Sequence, residues 1–166
     1  MRPLILILFA QEYDELALAS IESSYSEYEF VREGFDLFTF PSNARLLWFD
    51  VELFVKRLAV KYRSRTVAAV ASTHEQFGAL AASLLAEKLG LPGASLQSLL
   101  TAQHKFLARQ IHAKCMPENV PPFCGFRYDA DVRTAVTIDY PVFVKPVKAA
   151  FSVLAKRCKD EAALRA

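Results

Sequence analysis

With 166 residues, 53% of them hydrophobic and 23% charged, the chain can bury a core without a metal or disulfide staple. Its net charge of +2 and scattered basic residues, with Arg63-Ser64-Arg65 and Lys156-Arg157 as the only tight groups, exclude the basic stripe of a nucleic-acid binder. Cys115, Cys124 and Cys158 lack metal-site spacing, and an odd number of cysteines without a secretion signal points to reduced thiols in a cytoplasm.

Leu4 to Phe9 is a continuous apolar run followed at once by Glu12, Asp14 and Glu15, which suits a buried strand and not a signal sequence. No stretch is long enough to span a bilayer. Tyr13 to Tyr25 reads as a helix and Phe35 to Phe40 as a second strand ending at Pro41. Asp50 can cap a helix in which Leu53, Phe54 and Leu58 face one way and Arg57 and Lys61 the other. Val67 to Ala71 is a third apolar strand.

Thr73 and Gln76 have the spacing of a capping box for the clearest helix in the sequence, whose Phe77, Leu80, Ala81, Leu84, Leu85 and Leu89 recur at helical spacing up to Gly90. Apolar strands joined by helices imply a parallel sheet covered on both faces, with ligands beyond the carboxyl ends of its strands. His74 and Glu75 sit at such an end and are candidates for contacting substrate, although starting a helix is also sufficient reason for both. The dense aromatics Tyr13, Tyr25, Tyr28, Phe35, Phe38, Phe40, Trp48 and Phe49 are read as core and partner-face packing, with a homodimer face among the possibilities.

From Ser95 onward the pattern changes. Ser95 can cap a short turn, Ala102 to Lys114 reads as a helix with Lys105 near its first turn, and Cys115 to Pro122 is a proline-rich connector. Phe123 to Tyr128 and Tyr140 to Lys145 read as strands, Val153 to Cys158 as a partner of the latter, and Asp160-Glu161 as a helix start. The fold class is therefore α/β, with a Rossmann-like parallel-sheet domain over residues 1–94 and a smaller unit over 95–166. The five glycines build neither a dinucleotide fingerprint nor a Walker loop, since none of them cluster after a strand.

Three segments nonetheless resemble a known family. Leu80-Ala81-Ala82-Ser83-Leu84-Leu85-Ala86-Glu87-Lys88-Leu89-Gly90-Leu91-Pro92-Gly93 is similar to the last helix of the N-terminal domain in ATP-grasp ligases. Gln103-His104-Lys105-Phe106-Leu107-Ala108-Arg109 resembles the helix that opens the ATP-grasp domain and carries its first nucleotide-binding lysine, and Asp139 to Pro146 the strand that bears the second. The forty residues from Lys105 to Lys145 fit the family's interval.

The resemblance implies a preATP-grasp domain followed by the lid-forming first part of an ATP-grasp domain. It also implies ATP and Mg²⁺ as cofactors and a small carboxylate substrate activated as an acyl phosphate, which an amine or other nucleophile then attacks. Lys105 and Lys145 would contact the ATP phosphates, with Lys148 and Ser152 beside them; lysine serves phosphate as a point charge. The chain departs from the family in its lid loop, Val147-Lys148-Ala149-Ala150-Phe151-Ser152, which has alanines and Phe151 where glycines are usual. The family's adenine hinge and magnesium ligands are expected downstream of this sequence, so the chain alone should not complete the reaction. Two explanations fit: the front part of a longer ligase, or a degenerate nucleotide-sensing or protein-interaction module. A last helix stopped after one turn favours the first.

Overall fold

The computed structural model describes residues 1–149 and 152–165; the expected role of Phe151 in the lid loop lies outside them. The chain divides between Leu99 and Leu100 into two compact units.

The first unit contains a three-stranded parallel sheet in the order β2-β1-β3, formed by β1 (Leu4–Leu8), β2 (Glu29–Glu33) and β3 (Val67–Ala71). β1 is central, and Leu4, Leu6 and Leu8 are fully buried along it because an unbroken apolar strand can be covered on both faces. Helix α1 (Glu12–Ser24) connects β1 to β2, and α2 (Val51–Lys61) connects β2 to β3. α3 (Phe77–Lys88) follows β3. Val55 and Leu58 of α2 and Ala81, Ala82 and Leu85 of α3 close over the β1 leucines in one core cluster. Asp50 caps α2 as its sequence position predicts, accepting from the Leu53 amide at 2.9 Å.

Several elements differ from the sequence expectation, each for a local reason. The second strand is Glu29–Glu33, not Phe35 to Phe40. It is a half-buried edge strand whose charged residues are held by partners: Arg32 by Glu15 and Glu22, and Glu29 by Arg65. Phe35 to Phe40 instead turns, since the Asp36 carboxylate accepts from the amides of Phe38 and Thr39 and so replaces a ladder with a side-chain turn. The capping box at Thr73 does not form; α3 starts at Phe77 behind Gln76. The sheet is not covered throughout, because Ala68, Ala69 and Ala71 of β3 are exposed.

In the second unit the single helix expected over Ala102 to Lys114 is broken at His104. Helix α4 (Leu96–Gln103) leads across the boundary, and α5 (Lys105–Cys115) begins anew. Phe123 to Tyr128 pairs with no strand among the described residues; Phe123 packs on Phe106 at 5.7 Å, and a turn at Arg127 to Ala130 ends the segment. A short helix α6 (Val132–Ala135) precedes β4 (Val142–Val144), which pairs antiparallel with β5 (Lys156–Cys158). Both lie within the segments predicted to be strands. Val142 opposite Cys158 is the buried pair of this ribbon, and α7 (Glu161–Arg165) follows.

Candidate functional site

Polar side chains gather at the carboxyl ends of β1 and β3. Ser72 follows β3 directly, and its hydroxyl donates to the Leu8 carbonyl at 2.8 Å, tying the two strand ends together. The same oxygen accepts from the His74 amide at 3.2 Å. Thr73 donates to Asp14 Oδ2 at 2.6 Å, and that oxygen also accepts the Gln11 amide at 2.9 Å. The ends of β1 and β3 and the start of α1 are thus locked by side-chain bonds where the ladder stops.

His74 is held on two sides. Its Nδ1 accepts from the Gly78 amide at 3.3 Å, and its ring lies 5.1 Å from that of Phe38. An accepting Nδ1 puts the proton of the neutral ring on Nε2, so His74 presents a donor of fixed direction. Glu75 is exposed on the next residue. The two substrate candidates therefore occupy the expected sheet end.

Gln11 and Asp14 were not anticipated from the sequence. Gln11 is 6% exposed and Asp14 7%. Gln11 Nε2 is a buried donor with no partner among the described residues, an arrangement that costs about 1–3 kcal/mol when no ligand or water compensates it. Nothing in the local pattern marks it, since its importance comes from Thr73 reaching Asp14 across 59 positions.

The remaining candidates belong to the second unit. His104 caps α5 through Nδ1, which accepts from the Leu107 amide at 3.3 Å, and this sets Lys105 as the first helical residue. The Lys105 amide donates to the Val147 carbonyl at 3.0 Å and its ammonium to the Ala149 carbonyl at 2.7 Å. The structure thereby joins Lys105 to the stretch that follows Lys145. Lys145 leaves the end of β4 exposed, as does Lys148 beyond it. Ser152 is exposed, with φ 57°. Leu154 has the same φ, and the Ala155 amide bonds the Ser152 carbonyl at 3.0 Å, so this glycine-free turn still reaches left-handed backbone. Among the described residues no three His, Cys, Asp or Glu side chains converge as for a metal, and no helix is long and apolar enough to cross a membrane.

A parallel three-stranded α/β unit followed by a unit with an antiparallel ribbon is a fold found among solved structures. One solved structure with this fold is the L-amino acid ligase from Bacillus licheniformis, with a TM-score of 0.72 and 20% sequence identity. The match takes in 98% of this chain but 39% of that one, so the chain spans about two-fifths of the ligase's length. No family model matches the sequence, and no curated protein does.

Proposed function

We propose that this chain is the front portion of an ATP-dependent ligase that activates a carboxylate as an acyl phosphate and joins it to an amine. In this reading residues 1–94 form the preATP-grasp domain and 95–166 the lid part of the ATP-grasp domain. The supporting observation is a pair of hydrogen bonds from Lys105 to the stretch after β4, its amide donating to the Val147 carbonyl and its ammonium to the Ala149 carbonyl. It links the start of α5 to the stretch that follows Lys145, which supports reading the two lysines together. The likeness to an amino acid ligase supports the same class, and an amino acid is accordingly the proposed substrate.

In the proposed reaction a substrate carboxylate oxygen attacks the γ-phosphorus of ATP. The bond to the β–γ bridging oxygen breaks, and ADP leaves. The amine then attacks the acyl carbon, phosphate departs with the bonding electrons, and the amine loses a proton. Lys105 and Lys145 offset the charge spread over the phosphoryl oxygens, which is the main demand of phosphoryl transfer. Lys148 and Ser152 flank them on the loop. His74, donating from Nε2, and Glu75 orient the substrate at the sheet end. Magnesium ligands are assigned to none of the residues of this chain.

Calorimetry at fixed magnesium tests the phosphate role in the protein that carries this chain. Lys145→Ala should weaken ATP binding by about tenfold, equivalent to about 1.4 kcal/mol. Equal affinity in the two proteins refutes the assignment.

A further inference from the structure

Beyond β1 the backbone turns through Phe9 and enters α1 behind Gln11, its N-cap. Two buried side chains of this turn keep unused hydrogen-bonding capacity. Gln11 Nε2 has no partner among the described residues. Asp14 accepts from the Gln11 amide and from Thr73 on Oδ2, and among the described residues no hydrogen bond falls on its Oδ1. One free donor and one free acceptor therefore lie three residues apart at the carboxyl end of the sheet, where ligands of open α/β sheets bind.

The charges around the turn select the ligand. Glu12, Asp14 and Glu15 all fall in the first turn of α1, while Arg32, the cation nearest to them in these contacts, is engaged by Glu15 and Glu22. A simple anion would meet the Asp14 carboxylate without compensation. A ligand that brings its own ammonium beside its acceptor oxygen would match both groups.

We propose that Gln11 and Asp14 form a subsite for a small zwitterion, an α-amino acid, with Gln11 Nε2 donating to its carboxylate and Asp14 Oδ1 accepting from its ammonium. The subsite rests on the ligase reading, for which it supplies a place to hold an amino acid, and it adds two specificity-determining residues to His74 and Glu75.

The test is a titration of the ¹⁵N-labelled chain with L-alanine, acetate and methylammonium, followed at the Gln11 side-chain amide pair, which is assigned by its loss in Gln11→Met. The pair should shift saturably with L-alanine and bind acetate or methylammonium about tenfold more weakly or worse, the discrimination of one charged contact. Asp14→Asn should remove the preference for alanine over acetate. Because Asp14 also caps α1, Gln11→Met provides the second variant: read at the Thr73 and His74 amides, alanine affinity should fall by about tenfold while the rest of the spectrum stays dispersed. A Gln11 pair that does not move with L-alanine, or moves equally with acetate, overturns the subsite. If Lys145→Ala weakens ATP binding but Gln11 stays silent, the subsite alone falls. An unchanged ATP affinity in Lys145→Ala counts against the ligase reading itself.

Discussion

Phe9 takes a left-handed backbone conformation, φ 58°, that bulky side chains avoid, and it does so fully buried. The ring contacts that hold it there are Phe35 at 5.6 Å, Phe49 at 5.8 Å, Phe54 at 5.3 Å and Phe77 at 5.5 Å. Such edge and tilted aromatic contacts stabilise beyond the area they bury and offset a backbone strain of about 1–3 kcal/mol. Gly34 completes the arrangement: its φ is 105°, and a Cβ there would come within 2.6 Å of Phe9 Cδ1. Gly34→Ala should therefore destabilise the protein by about 1–3 kcal/mol through overpacking and backbone strain. Urea unfolding should show a lower midpoint at constant m, with Gly93→Ala, where a Cβ meets nothing closer than 3.8 Å, near neutral as the comparison. Of these residues Phe35 and Phe49 are legible in the sequence as packing aromatics, whereas Phe9 as their centre is not, because a strand-end residue in left-handed backbone leaves no periodic trace.

At the level of elements, α2 and β2 are joined through one carboxylate. Lys61 in the last turn of α2 and Tyr62 at its C-cap both donate to Glu33 Oε1 at the end of β2. Burial, then the bond to Glu33, pushes the Tyr62 phenol above the ordinary 10.0, and the bond to Glu33 raises Lys61 above 10.5. Both groups hold their protons more tightly folded than unfolded. Their contribution is thus fully present below pH 10.0 and is lost as pH rises through the folded values. Tyr62→Phe should cost about 0.5–1.5 kcal/mol at neutral pH for the lost hydrogen bond. In urea unfolding carried out from neutral pH upward, its stability should fall less steeply than the parent's above pH 10.0, since Lys61 is common to both. An equal slope would show that Tyr62 does not carry the alkaline loss.

Legibility of the elements follows the same physics. Central and helical segments with one dominant period, β1, α1, α2 and α3, stand out in the sequence. β2 is hidden because its charged residues are satisfied by Glu15, Glu22 and Arg65, tens of positions away in some cases. The break at His104 depends on a ring nitrogen accepting a backbone amide, a choice that helical spacing cannot register.

Across the whole molecule the two units differ in how much core each owns. Of the buried hydrophobic side chains among the described residues, only Val142 and Cys158 belong to the second unit. A two-stranded ribbon is marginal by itself. Native-state hydrogen exchange should therefore find the β1 amides of Leu6 and Leu8 protected by several kcal/mol more than those of β4, with opening of β4 and β5 below the global transition. Equal protection in both would contradict the unequal cores. The candidate residues divide along the same line. Lys105 and Lys145 are candidates only through a resemblance, since their residue types alone pass for solvated lysines. His74 is a candidate because it follows a strand in a parallel sheet. Gln11 and Asp14 are not legible in the sequence, because the link of Asp14 to Thr73 exists only after the sheet has formed.

The two borders of the parallel sheet are unlike each other. β2 presents Glu29, Arg32 and Glu33, charges that keep a foreign strand from adding to that side. β3 is Val-Ala-Ala-Val-Ala, carries no charge and leaves three alanines open to solvent. Small neutral side chains neither repel nor sterically block an incoming backbone, so association between copies, or aggregation during refolding, has a defined point of entry at β3 and a guarded flank at β2.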